Sequence, residues 1–135
     1  MRDAEIRVLL VDDEPLVRRS LEKTLSRAGY AVTTGENCNT GLALFQQAQQ
    51  SGQPFQLAVL DINMPDFDDI PTNGAGLLLL ARLMDLNPNL LSVMLTAYDD
   101  VGKAREAVGL GAQGYFVKGR EQGLLELLEE ILATN

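Results

Sequence analysis

Short apolar runs and stretches of helical periodicity alternate along the whole chain. Ile6 to Val11 is mostly apolar and stops at Asp12-Asp13-Glu14-Pro15, the form of a buried strand followed by a helix with proline in its first turn. Leu16, Val17, Leu21, Leu25 and Ala28 then recur at roughly helical spacing until Gly29, where a helix C-terminus is expected. Ala31 to Thr34 predicts a second strand. Asn39 or Thr40 can cap a second helix with Leu42, Phe45 and Ala48 on its inner face. Phe55 to Leu60 predicts a third strand ending at Asp61, and Gly74 to Leu86 a third helix. A fourth strand, Leu90 to Leu95, ends at Thr96 and precedes a helix over Val101 to Leu110. Gly114 to Val117 is a fifth strand ending at Lys118, and Gln122 to Leu132 the last helix.

Strands alternating with helices imply parallel pairing through right-handed crossovers, hence an α/β doubly wound five-stranded sheet with helices on both faces. No linker divides the 135 residues, so 1–135 reads as a single domain. Apolar residues at 46% and charged residues at 22% are ordinary for a chain that folds unaided. A glutamine-rich patch from Gln46 to Gln56 reads as solvated helix surface and exit loop.

Composition removes several chemistries. A net charge of −8 argues against direct nucleic-acid binding and against attraction to anionic lipid. The absence of histidine excludes His-ligated metals, a Ser-His-Asp triad and an imidazole phosphoryl carrier. The single cysteine, Cys38, excludes an intrachain disulfide. No signal-peptide pattern and no apolar run near ~18 residues is present, so the expected location is cytoplasmic, with no membrane partner.

In doubly wound sheets, ligands bind beyond the carboxyl ends of the strands. The residues there are Asp12 and Asp13, then Asp61, Thr96 and Lys118. Each alone has an ordinary explanation as a cap, a turn residue or a solvated charge. Together they gather three carboxylates, a hydroxyl and an ammonium at the one edge where this fold builds a site. Clustered carboxylates repel one another unless a cation compensates, which points to a hard ion, Mg²⁺, with oxygen ligands. A carboxylate facing such an ion, with lysine and hydroxyl nearby, is arranged to attack phosphorus. Asp61 is the expected nucleophile. Lys118 then neutralises the transferred group, and Thr96 offers it a hydrogen bond.

Over Ile6 to Leu132 the sequence resembles a response-regulator receiver domain. The residues that carry the likeness are Val11-Asp12-Asp13-Glu14-Pro15, Val59-Leu60-Asp61-Ile62-Asn63-Met64-Pro65, Leu95-Thr96-Ala97 and Gly114-Tyr115-Phe116-Val117-Lys118. The resemblance implies a flavodoxin-like strand order 2-1-3-4-5. It implies that Asp61 is phosphorylated by a histidine kinase, a histidine phosphotransfer protein or a small phosphodonor. It further implies Mg²⁺ on Asp13, Asp61 and the backbone carbonyl of Asn63, with Asp12 acting mainly through metal-bound water. Thr96 and Tyr115 are then the switch residues, and the output goes to a downstream protein or a fused output domain. Such a protein is a signalling receiver that catalyses its own phosphorylation and dephosphorylation, not an enzyme acting on a separate substrate.

Three departures stand out. Gly74 lies 13 positions beyond Asp61 (74 − 61), so the loop from the third strand to the third helix is roughly five residues longer than usual. The added stretch, Asp66 to Asn73, reads as a solvated loop or as an acidic barrier close to the site that slows anionic phosphodonors. Glycine follows Lys118 where the family commonly has proline. Tyr98 is either a shield against water or an exposed loop aromatic. Among other classes, an aspartate-nucleophile phosphohydrolase wants a second acid where Asn63 stands. A flavodoxin-type carrier would have its phosphate repelled by Asp12-Asp13-Glu14.

Overall fold

A computed structural model describes residues 5–97, 101–119 and 121–134. Five strands, β1 (Arg7–Val11), β2 (Ala31–Gly35), β3 (Leu57–Asp61), β6 (Leu91–Thr96) and β7 (Gly114–Val117), form one parallel sheet in the order β2-β1-β3-β6-β7. This is the expected 2-1-3-4-5 order, counting only the strands of that sheet. The helices are α1 (Pro15–Arg27), α2 (Cys38–Gln50), α3 (Ala75–Leu86), α4 (Val101–Gly109) and α5 (Glu121–Thr134). A two-stranded antiparallel ribbon, β4 (Met64–Pro65) with β5 (Pro71–Thr72), lies between β3 and α3.

The sheet is covered on both faces, so its central strands are apolar at every position rather than at alternate ones. Val8 and Leu10 of β1 pack with Val59 of β3 against Leu21 and Leu25 of α1 and Leu124 and Leu128 of α5. Leu9 and Val11 point the other way, joining Leu60, Phe45 of α2 and Leu79, Leu80 and Leu83 of α3. All of these are buried. The two layers hold the strands rigidly and fix where each strand stops.

Helix ends follow local chemistry. Gly29 takes φ +99, and the amides of Gly29 and Tyr30 bond back to the carbonyls of Ser26 and Leu25, closing α1 in a Schellman turn. The α2 cap is Asn37, not Asn39 or Thr40: Asn37 is extended, and its Oδ1 accepts from the Thr40 amide at 2.8 Å. An asparagine two positions upstream wins because its backbone is still extended where the helix begins. Within α1, Val17, Leu21 and Leu25 share the inward stripe, whereas Leu16, one position off it, is 79% exposed.

Candidate functional site

The carboxyl edge of the sheet brings the strand-end residues together. Asp12, just past β1, is fully buried, and Asp61, the last residue of β3, is nearly so. Lys118 follows β7 and reaches between them, its Nζ 3.1 Å from Asp12 Oδ2 and 3.0 Å from Asp61 Oδ2. A third carboxylate, Glu14 Oε1, lies 2.6 Å from the same nitrogen. Backbone amides orient the acids: Glu14 N donates to Asp12 Oδ1 at 2.9 Å, and Asn63 N to Asp61 Oδ1 at 3.3 Å. The Arg18 guanidinium donates to the Asp12 carbonyl at 2.7 Å, pinning the turn that leads from β1 into α1.

One ammonium does not balance these acids. Carboxylate oxygens from Asp12, Asp13, Glu14 and Asp61 all lie within 4.8 Å of one another. Burial, and next the Asp12 charge, push the Asp61 carboxyl up to about 7, although Lys118 and the Asn63 amide pull it down. Burial also raises Asp12, against the Glu14 amide and Lys118. Burial by itself would lower Lys118. The Glu14 hydrogen bond and then the Asp61 and Asp12 charges outweigh it, so the ammonium is held above its ordinary pKa. Asp12 Oδ2, though ion-paired, accepts no aligned hydrogen bond and is buried. A buried oxygen left over, amid excess negative charge from hard oxygen donors, fits a divalent cation with its hydration shell.

Residues 8–129 match the model of the response regulator receiver domain. The chain belongs to the response-regulator receiver family. Among curated relatives, the probable transcriptional regulator ycf27 of Cyanophora paradoxa is 36% identical over 83% of this chain and 41% of its own length. The response regulator protein PilR of Pseudomonas aeruginosa is 30% identical over 95% of this chain and 25% of its own. This receiver therefore spans less than half the length of either. Among solved structures, a CheY-like receiver domain protein from Methanospirillum hungatei superposes with TM-score 0.80 at 28% identity, covering 97% of this chain and 96% of that one.

The other expected residues of the receiver site divide. Thr96, at the end of β6, is buried, and its hydroxyl donates to the Ala97 carbonyl at 2.9 Å. Tyr115 is half-buried against the α3 side of the core. The Asn63 side-chain oxygen accepts from the Gly74 amide at 2.9 Å and so joins the phosphoacceptor candidate's strand to the start of α3. Tyr98 lies outside the described residues. Gly119, after Lys118, adopts φ +98, a turn that glycine makes without strain.

The extended loop is not simply solvated. It folds into the β4–β5 ribbon around Asp66, whose carboxylate accepts from the amides of Asp68 and Ile70 and from the Thr72 hydroxyl. Those bonds, the Thr72 hydroxyl first, hold the Asp66 carboxyl below its ordinary pKa. Asn39 of α2 donates to the Phe67 carbonyl and to Asp69 Oδ1, and Arg82 of α3 stacks over the Phe67 ring at 5.2 Å. None of the three loop acids belongs to the carboxylate cluster among the described residues. Hydrogen bonds within the ribbon and to α2 engage Asp66 and Asp69.

Two site residues escaped the sequence reading. Glu14 stands within the acidic run Asp12-Asp13-Glu14-Pro15, but nothing in that run says that its side chain reaches Lys118. Gly76, in the first turn of α3, packs so closely that a Cβ there would sit 2.0 Å from the Asp61 carbonyl oxygen. Its amide donates to the Ile62 carbonyl at 2.8 Å. A short glycine-bearing stretch gives no sign of which glycine meets the sheet.

Proposed function

We propose that this receiver is the phosphoacceptor of a two-component phosphorelay and that Asp61 carries the phosphoryl group. The observation that bears most weight is the Lys118 ammonium lodged between two buried carboxylates, Asp12 and Asp61, at 3.1 and 3.0 Å. In the proposed step an Asp61 carboxylate oxygen attacks phosphorus. The bond from phosphorus to a phosphohistidine nitrogen or to the acetate oxygen of acetyl phosphate breaks, and the leaving group takes the electron pair. The acceptor becomes an acyl phosphate. Lys118 balances the charge of the transferred oxygens. Thr96 gives up the Ala97 carbonyl and donates to the new group.

Asp13, Asp61 and the backbone carbonyl of Asn63 would hold Mg²⁺, with Asp12 behind a water. Bound there, the ion supplies Lewis-acid neutralisation of the phosphoryl oxygens. A dianionic group offers Thr96 a charged acceptor in place of the Ala97 carbonyl, and that differential interaction can bias Tyr115 and the surface around it between two arrangements. The donor is a histidine kinase or histidine phosphotransfer protein, and the recipient of the signal a downstream protein or an output domain in the same chain. The domain turns over no separate substrate. No described helix is long and apolar enough to cross a membrane, and a cytoplasmic receiver without direct nucleic-acid contact is the reading in keeping with the net charge of −8.

The test is incubation with acetyl phosphate and Mg²⁺, followed by intact-protein mass measurement. One added phosphoryl group is expected on the parent, and none on Asp61→Asn or in the presence of EDTA. A parent protein that stays unmodified, or a variant modified as fast as the parent, would overturn the assignment.

A further inference from the structure

Lys118 makes its shortest ion pair with neither buried carboxylate. Glu14 Oε1 lies at 2.6 Å, against 3.0 Å for Asp61 and 3.1 Å for Asp12. Glu14 stands at the N-cap of α1, in the extended backbone from which a side chain ordinarily accepts the first helix amides, yet its side chain makes no capping bond. It is turned to Lys118 instead. The contact joins residues 104 positions apart in sequence and lies at the site.

The ammonium carries three N–H groups, and three carboxylates already surround it. Its hydrogen bonds go to Glu14 and Asp61, so the acceptor oxygens of a phosphoryl group arriving on Asp61 compete with Glu14 for the same ammonium. Asp12 is fully buried and Asp61 itself carries the new group, whereas the Glu14 side chain is 58% exposed. Water can replace the lysine there at little cost.

We infer that Glu14 is a positioning residue: in the unmodified receiver it holds Lys118 from the solvent side, competes with the incoming phosphoryl oxygens for the ammonium, and slows phosphoryl acceptance until it lets go. This rests on Asp61 being the acceptor. The sequence places a glutamate here, and its length matters as much as its charge. Aspartate keeps the charge but is one methylene too short to hold the lysine.

The test compares the full chain with E14Q and E14D at saturating Mg²⁺, following uptake from acetyl phosphate by intact mass at low and at high salt. Both variants should accept phosphoryl about threefold faster than the parent, the scale of a half-exposed ion pair, with the ratio preserved at high salt. In metal-free protein, ¹⁵N relaxation of the Lys118 ammonium should report greater mobility in both variants. If E14D matches the parent and the gain of E14Q vanishes with salt, long-range repulsion is at work and the tether is refuted. Unchanged Lys118 mobility in both variants refutes it as well. A parent that accepts no phosphoryl overturns the acceptor reading itself. A parent that accepts it while both variants keep its rate overturns only the tether.

Discussion

Removing the charge of Asp61 should stabilise the metal-free protein at alkaline pH. The carboxyl is 4% exposed and its pKa is lifted from 3.8 to about 7 by burial and then by Asp12. In the unfolded chain the group loses its proton near 3.8, whereas in the folded protein it keeps it until about 7. Between these values the folded state binds the extra proton, so stability falls as pH rises through that window and is flat above it. A shift of three units corresponds to an upper bound of about 4 kcal/mol. Asp12 shares the strain, and a neutral amide in place of the carboxylate would forgo some attraction to Lys118, leaving about 2 kcal/mol in favour of Asp61→Asn at pH 8. That is roughly 6–10 °C in melting temperature for a domain of this size. Circular dichroism of both proteins in EDTA, at pH 5, 6.5 and 8, reads it directly. The advantage of the variant should be small at pH 5, full at pH 8, and reduced by Mg²⁺, which relieves the parent. A variant less stable than the parent at pH 8, or an advantage independent of pH, would refute the reasoning.

Lys118→Met leaves Asp12 and Asp61 buried without their cation, and should cost about 3 kcal/mol at pH 8 by urea denaturation. Adding Asp61→Asn to it should recover part of that loss. Gly76→Ala drives a methyl into the Asp61 carbonyl and should lower stability by about 2–3 kcal/mol, while Gly102→Ala, where a Cβ meets nothing, should not. Asp66→Ala removes the acceptor of three hydrogen bonds, so hydrogen exchange should speed up at the Asp68 and Ile70 amides while the β1 and β3 amides stay protected.

The sheet was legible because its signal is local and repeated. A strand buried on both faces must be apolar throughout, as Val8 to Val11 and Leu57 to Leu60 are, and each run ends in a polar residue where the strand leaves the core. Asp12, Asp61, Thr96 and Lys118 were visible for the same reason: position at a strand end is a sequence property once the strand is known. Burial of Asp12 beside Lys118 was not, since nothing in Asp12-Asp13 says which acid turns inward. Asp12 does so because it continues the β1 ladder, its amide bonding to the Gly35 carbonyl, while Asp13 stands exposed beyond it. The ribbon of 64–72 was missed because its strands are two residues long and depend on one side chain, Asp66, rather than on alternation. Gly76 was missed because a close backbone approach leaves no periodic trace.

The central claim is that the carboxylate ending β3, and no other acid of the cluster, takes the phosphoryl group. Borohydride reduction after acetyl phosphate treatment converts an acyl phosphate carbon to an alcohol, and peptide mapping then locates it. The account predicts reduction at residue 61 alone. Reduction at Asp12, Asp13 or Glu14, or a phosphoryl group that resists borohydride, would contradict it.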